Sequence, residues 1–344
     1  MNRYSETLNR FYNIVKEKSN DVMMGIIIDS PWMPGYMDVN TLDFYFDQTV
    51  WLNSYRQVLK DLPGVAFVPG SWVEYGMSAE PSGWGVKIEW KPGSPPSLHH
   101  FPGGLAAIIE QDTPDPEHHG MMPVILRQYE RTREILNQDG IPPKMAAARG
   151  PLAVAAHLIG VTELLTATRL DKENCLALFE KTTDLCIKWL KAQLDRMDDP
   201  FGILVLDDIA GMMRPKMADQ LAFPFLKRIF DSFPDMIHLF HNDTPNDKIF
   251  PGLAECGIDV FNFSHEISIE RARELVGDDM VLFGNLPPVD TLVRATADQV
   301  KQATRELLKT AHDHGPIILS AGGGISPDTP IENLQAMADV VHSQ

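Results

Sequence analysis

The strongest constraint on the fold is a repeated alternation between short apolar, β-branched runs and amphipathic helical stretches. A polar or Gly/Pro turn separates each pair. Five such units follow one another in the second half of the chain, with predicted strands ILVL at 203–206, MIHLF at 236–240, IDVFNF at 258–263, MVLF at 280–283 and PIILS at 316–320. This alternation is typical of βα units and a mostly parallel sheet.

The first half of the chain shows the alternation less regularly. Its predicted strands are GIII at 25–28, GVAFV at 64–68 and KMAAA at 144–148, which brings the count to about eight. We therefore predict an α/β protein: a (β/α)8 TIM barrel with an N-terminal extension and a long insertion after an early strand. The insertion, at about 70–120, is rich in Gly, Pro and Trp and is expected to contain a small hairpin carrying WGVKIEW. The whole chain, residues 1–344, is predicted to be one barrel domain.

Composition limits the partners that the protein can have. The 344 residues include 47 Asp plus Glu against 30 Lys plus Arg, a net charge of −17. Because this charge repels phosphate backbones and anionic lipid, we expect neither a nucleic-acid nor a membrane partner. The polar N-terminus has no signal-peptide core, and the longest apolar run, 22–28, is too short to span a bilayer. Three cysteines form no CxxC pair, so a soluble cytoplasmic protein is expected.

Polar residues follow the predicted strands at the end where a parallel barrel carries its active site. These strand-end residues are Asp29, Glu74, Arg149, Asp207, Asp208, His241, Asp243, Ser264, His265, Asn285 and the glycines at 322–324. Asp207 and Asp208 are adjacent, and one of them is expected to face the barrel mouth. The alternative for either residue is that it lies at the N-terminus of the following helix and stabilises the helix dipole. His241 and Asp243 suit either zinc ligation or a base with its orienting partner, and the alternative for His241 is a cap on the following turn.

The insertion adds two more acidic candidates. Glu74 and Glu80 lie among aromatic residues, where a carboxyl group has a raised pKa and serves as an acid or a ligand; the alternative is simple surface exposure. Trp32 is a candidate for lining an apolar substrate cavity, although core packing is the competing interpretation.

The motifs of the C-terminal half resemble the uroporphyrinogen decarboxylase superfamily. They are the Asp pair after one strand, the His after the next, FGNLPP at 283–288, ILSAGGGISPDTPIENLQAM at 318–337 and RGPLAVAAHLIG at 149–160. The resemblance covers residues 145–340 well and implies a (β/α)8 barrel. The superfamily includes two activities. The decarboxylases bind a tetrapyrrole with an Arg-rich motif after the first strand, whereas this chain has no Arg between Arg10 and Arg56. The chain therefore looks closer to the corrinoid-dependent methyltransferase branch.

Thiol-specific members of that branch hold zinc with an H-x-C motif and a distant Cys in the final glycine-rich turn. His241 matches the His, but Asp243 and Gly323 stand where the two Cys would be. The resemblance thus implies a harder His/carboxylate site with zinc as the candidate metal. The candidate metal ligands are His241, Asp243 and Glu80.

We hypothesise that the protein transfers a methyl group from a small methoxylated substrate, aromatic ones included, to the cobalt of a corrinoid protein, as in an O-demethylase. The cobalamin would be carried by that partner protein. Predicted catalytic residues are His241, Asp243 and Asp208, and predicted substrate-binding residues are Asp29, Trp32, Glu74, Asn285 and Gly323. The alternatives are decarboxylation of a tetrapyrrole and a non-catalytic corrinoid- or ligand-binding barrel.

Overall fold

Parallel strands dominate the structure, a computed structural model that describes residues 3–344. The strands are β1 (Met23–Ile27), β2 (Ala66–Val68), β3 (Ile88–Lys91), β4 (Ser94–Leu98), β5 (Met145–Arg149), β6 (Gly202–Leu206), β7 (Ile237–Asn242), β8 (Val260–Phe263), β9 (Val281–Leu286) and β10 (Ile317–Ala321). Eight of them form one parallel sheet in the order β2–β1–β10–β9–β8–β7–β6–β5. The sheet curls into a nearly closed barrel, so the predicted fold class is confirmed.

Helices connect the strands and lie outside the barrel. They are α1 (Arg3–Glu17), α2 (Met33–Tyr36), α3 (Thr41–Phe46), α4 (Gln48–Asp61), α5 (Ala79–Ser82), α6 (Gly104–Ile108), α7 (Met122–Asp139), α8 (Pro151–Ile159), α9 (Val161–Leu170), α10 (Lys172–Leu194), α11 (Pro215–Leu221), α12 (Phe223–Asp231), α13 (Phe250–Ala254), α14 (Ile269–Val276), α15 (Ala297–Asp313) and α16 (Ile331–His342).

The barrel is interrupted between β2 and β5, which lie at the two ends of the strand order and are not paired with each other. Side chains bridge this interval: the Ser71 hydroxyl donates to the Ile141 carbonyl at 2.8 Å, and the Val73 amide donates to the Tyr129 hydroxyl at 3.1 Å. The inserted segment between the two strands contains the antiparallel hairpin β3–β4, which includes part of the predicted WGVKIEW hairpin.

Alternate residues of each strand point into the barrel, as the two-residue period of a strand requires. The interior is filled by one apolar cluster that includes Leu204, Leu239, Val281 and Phe283. Helix α1 contributes Phe11, Ile14 and Val15 to the same cluster, so it covers the amino-terminal end of the barrel. The carboxyl-terminal end, where the polar strand-end residues lie, is left for the site.

Among residues 3–344, no single helix is long and apolar enough to cross a membrane. The consecutive helices α8 and α9 are long and apolar enough only when taken together, and the chain bends by 107° between them.

The Phe283 side chain fills the barrel interior and should be a large contributor to stability. It is 0% exposed, and a Cβ placed on Gly25 would lie only 2.9 Å from its ring, so the ring occupies the space that the glycine leaves open. We expect Phe283→Ala to lower the free energy of unfolding by about 3–5 kcal/mol, because it removes buried apolar area and leaves a cavity. Urea unfolding followed by tryptophan fluorescence measures this loss. The matched control is Leu170→Ala, since Leu170 is 82% exposed; equal midpoints for the two variants would contradict the assignment.

Candidate active site at the carboxyl end of the barrel

Three side chains from neighbouring strand ends form a compact group. Asp208 begins a 3₁₀ turn (Asp208–Met212) directly after β6, while His241 lies in β7 and Asp243 follows its end. One ligand atom of each residue lies within 4.8 Å of the others, and His241 Nε2 is 3.8 Å from Asp208 Oδ1. The three predicted catalytic residues are therefore brought together. His241 is buried whereas Asp243 is exposed, so the group opens to solvent on the Asp243 side.

A buried asparagine fixes the orientation of the His241 ring. Asn262, the neighbour of His241 on β8, donates from Nδ2 to the carbonyls of Phe283 and Ala321 at 2.8 and 3.2 Å. These two bonds leave Asn262 Oδ1 as an acceptor 2.7 Å from His241 Nδ1. Nδ1 therefore carries the ring proton and donates, which leaves the Nε2 lone pair directed toward the two carboxylates. Sequence reasoning missed Asn262; its only sign was a lone amide at an inward position of an apolar strand.

The group consists of electron-pair donors that face one another, an arrangement that a cation stabilises. Backbone geometry holds it together, since the Asp243 amide donates to Asp208 Oδ1 at 3.1 Å. Asp243 is exposed as a residue, but its carboxyl group is partly enclosed; this partial desolvation, and then the charge of Asp208, raise the pKa of Asp243 above its usual value. Imidazole nitrogen and carboxylate oxygen are both ligands that zinc accepts. The residues therefore fit a metal ion.

Gly323 lies against this group. A Cβ built on Gly323 would be 2.9 Å from Asp243 Oδ2, and the residue has a φ of +128°. The backbone of the Gly-rich turn thus approaches Asp243 at a distance that no side chain at this position would allow without displacement.

The two adjacent aspartates separate, as expected for neighbouring positions. Asp207 is 0% exposed, and its Oδ2 accepts a hydrogen bond from the Leu152 amide at 2.9 Å, in the first turn of α8. Burial raises the pKa of Asp207 to about 7. Gly150 accommodates this contact, because a Cβ there would come within 2.4 Å of the carboxylate. Asp207 is therefore a helix N-terminal acid, and Asp208 is the one that faces the mouth.

A second polar group lies after β1 and β2. Glu74 is buried and accepts hydrogen bonds from the amides of Ser30 and Gly76 at 2.7 and 2.5 Å. Burial, and then the charge of Glu74, raise the pKa of Asp29 to about 7, while Arg149 acts in the opposite direction. Two of the predicted substrate-binding residues, Asp29 and Glu74, are thus close enough to influence each other's protonation.

Glu80 does not belong to the metal-ligand group among the described residues, contrary to its proposed role as a ligand. Its carboxylate is buried and accepts a hydrogen bond from the Arg149 amide at 2.8 Å, which places it near β5 instead. Asp208 takes its place as the third donor. The sequence did not reveal this, because Glu80 and Arg149 are 69 residues apart.

Two predicted substrate-binding residues, Trp32 and Asn285, have partners within the protein. Trp32 is 0% exposed, stacks on Tyr36 with ring centroids 4.6 Å apart, and donates from Nε1 to the Thr329 carbonyl at 2.8 Å. It is a core residue with no surface for a substrate. Asn285 lies within β9 rather than after it, and its Nδ2 donates to the Ile267 carbonyl at 2.7 Å, so its amide already supports a loop.

Replacing Asn262 should weaken metal binding without removing any of the three donors. We expect Asn262→Ala to lower zinc affinity roughly 10- to 100-fold, because the His241 ring loses the acceptor that fixes its tautomer and orientation. Competition titration against a chromophoric chelator measures the affinity, with His241→Ala as the variant expected to abolish binding. The control is His312→Ala on the exposed face of α15. Unchanged zinc affinity in a folded Asn262→Ala protein would contradict this account of the site.

The raised pKa of Asp29 predicts a specific pH dependence of stability. Its pKa moves from 3.8 to about 7, so between these values the folded protein holds a proton that the unfolded chain releases. The free energy of unfolding therefore falls as pH rises through this range. Because Asn cannot ionise, the free energy of unfolding of Asp29→Asn should exceed that of wild type at pH 8 by about 1–2 kcal/mol, after allowance for solvent screening. At pH 4 the two proteins should differ little. Urea unfolding at both pH values checks this, with exposed Asp235→Asn as the control. A constant difference across the pH range would refute it.

The chain is similar to proteins of one known family. Residues 71–344 match the family described as uroporphyrinogen decarboxylase (URO-D). The chain is 28% identical over 274 residues to a methylated-thiol–coenzyme M methyltransferase of Methanosarcina mazei, covering 76% of this chain and 69% of that protein. It is 27% identical over 210 residues to a uroporphyrinogen decarboxylase of Carboxydothermus hydrogenoformans, covering 59% of each chain.

A solved structure agrees with the fold. A methyltransferase from Methanosarcina mazei superposes with a TM-score of 0.81 over 98% of both chains at 20% sequence identity. These comparisons confirm the predicted superfamily, in which the relatives of this chain include both a methyltransferase and a decarboxylase, and the prediction that the protein is an enzyme. The match extends over most of the length of the chain, and the protein therefore belongs to the uroporphyrinogen decarboxylase family.

Proposed function

We propose that this protein is a methyltransferase that moves a methyl group from a small methoxylated substrate to the cobalt of a corrinoid protein. The observation that carries the proposal is the group formed by Asp208, His241 and Asp243 at the mouth of the barrel. Its donors are nitrogen and oxygen, which suit a hard or borderline cation that polarises an ether oxygen. The sequence similarity to a methyltransferase supports the same reaction class.

The three donors define what the chain itself contributes. A zinc ion would supply Lewis acidity toward the ether oxygen, making the alkoxide or phenolate a better leaving group. His241 and the two carboxylates would hold that ion, and Asn262 would keep the imidazole in the metal-binding tautomer. The open side at Asp243 gives the substrate its approach. The reduced corrinoid is a co-substrate, whose cobalt provides the electron pair for the new bond to carbon while the C–O bond breaks and the product oxygen takes up a proton.

The cysteines offer no thiolate for such a site in the described part of the chain. Cys175, Cys186 and Cys256 are all buried, and burial raises the pKa of each thiol. Cys186 donates to the Arg149 carbonyl at 3.0 Å instead. This supports a methyl donor bound through oxygen rather than a site selected for thiols.

Tetrapyrrole decarboxylation is the rival activity within the family. It is less well supported because the segment after β1, from Asp29 to Asp38, has no Arg to bind a polycarboxylate. We further propose that residues 1–344 form one barrel domain and that the protein acts in the cytoplasm.

An anaerobic methyl-transfer assay tests the function. Protein supplied with zinc, cob(I)alamin and a panel of methoxylated aromatic and aliphatic compounds should yield methylcobalamin, detected by its absorption spectrum. His241→Ala should reduce the rate roughly 100-fold or more, because the ether oxygen loses its electrophilic partner, whereas His312→Ala should behave as wild type. The absence of methyl transfer across the panel, combined with turnover of uroporphyrinogen, would establish the rival activity instead.

A further inference from the structure

We propose that Arg149 is the recognition group for a carboxylate of the substrate, so that the methyl donors are small methoxylated acids. This inference rests on the proposed function for one part of the ligand, its methoxy group. Binding of the carboxylate to Arg149 does not depend on methyl transfer.

The Arg149 side chain is buried, and in the described part of the chain no acceptor forms a hydrogen bond or an ion pair with its guanidinium. The residue is 7% exposed and lies at the end of β5. The guanidinium carbon lies over the ring of Trp72, 5.7 Å from the ring centroid, and this ring offers no hydrogen-bond acceptor in its plane. A guanidinium carries a full charge and five N–H donors, so its burial costs free energy unless a hydrogen-bond acceptor faces it. A carboxylate matches the guanidinium fork with two parallel hydrogen bonds.

Asp29, Glu74 and Glu80 lie near enough for the charge of Arg149 to oppose the rise in the pKa of each carboxyl group, but none of them forms an ion pair with its side chain. Glu80 accepts from the Arg149 backbone amide, not from its side chain, and Glu74 is engaged by the amides of Ser30 and Gly76. Tyr45 and His157 also lie within reach of this charge. His157 stays neutral because burial, followed by the charge of Arg149, lowers its pKa to about 4. With the pKa of Asp29 near 7, this carboxyl group neutralises the guanidinium only in part at neutral pH.

The strand register places Arg149 two strands away from His241, at the same level of the barrel. Arg149 pairs with Leu206 on β6, and Leu206 pairs with His241 on β7, so the three residues lie at one level of the barrel. Arg149 and His241 share the inward-facing phase of their strands with Ala147 and Leu239, which line the barrel interior. Two strand spacings separate them by roughly 10 Å between backbones. Once both side chains extend inward, a benzene ring or a short aliphatic chain is the spacer that joins a carboxylate at one end to a methoxy group at the other.

Calorimetric binding of matched acids and amides tests the assignment. The probes are 3-methoxybenzoate, 4-methoxybenzoate and methoxyacetate, each paired with its neutral amide. At least one acid should bind wild type 10-fold or more tightly than its amide. Arg149→Gln should weaken that acid roughly 30-fold or more, since a buried charge pair loses one member. Arg149→Lys should retain an intermediate affinity, because a lysine keeps the charge without the fork. Amide affinity should be unchanged in both variants.

A pH series on wild type gives a reading that needs no variant to fold. Between pH 8 and pH 6 the affinity for the acid should increase several-fold as Asp29 takes up its proton, with the amide unaffected. Equal affinity of every acid and its amide, or undiminished acid binding by folded Arg149→Gln, would overturn the assignment. If acids bind through Arg149 but yield no methylcobalamin, the methyltransferase proposal fails while the carboxylate site stands.

Discussion

The parallel register of the barrel strands is the constraint on which the site depends. Because paired residues on β5 to β8 lie at the same level, Arg149, Leu206, His241 and Asn262 form a continuous inward row. A shift of one residue in any strand would turn its member of the row outward. The apolar interior below, closed by α1, holds the register through side chains such as Phe283 and thereby fixes the polar side chains above it. Stability of the barrel interior and alignment of the site are therefore the same physical requirement.

Local patterns were sufficient to predict the barrel and the position of its polar end. Apolar runs followed by Asp208, His241 or Asp243 are contained within a few residues of sequence, so the strands and the grouping of these three residues follow from periodicity and from the fold class. Residues whose environment depends on distant chain segments could not be placed in this way. Trp32 is in the core because its indole reaches a carbonyl 297 residues away, and Glu80 is bound to a strand 69 residues away. The polar strand-end position of Arg149 was visible in the sequence, but its lack of a partner was not.

Acidic residues in this mouth differ in character although they are close in sequence or in space. Asp207 is fully buried at the start of α8, while Asp208, its neighbour in the chain, is partly exposed beside His241. Glu74 is satisfied by backbone amides, whereas Asp29 relies on its proton. The acidic residues of this mouth thus have three separate roles: Asp207 caps a helix, Asp208 and Asp243 belong to the candidate metal site, and Asp29 and Glu74 form a pair that holds a proton. Their hydrogen-bond donors, and not their charge alone, distinguish these roles.

The close approach of Gly323 to Asp243 has an evolutionary consequence. A cysteine at position 323 would need a backbone with a φ of +128° and would bring its Cβ to 2.9 Å from Asp243 Oδ2. A change from an oxygen ligand set to a thiolate set through position 323 therefore requires the Asp243 carboxylate to move or to be shortened and the turn to relax from its positive φ. We therefore expect the effect of a cysteine at position 323 to depend on the residue at position 243, so that the two substitutions are coupled.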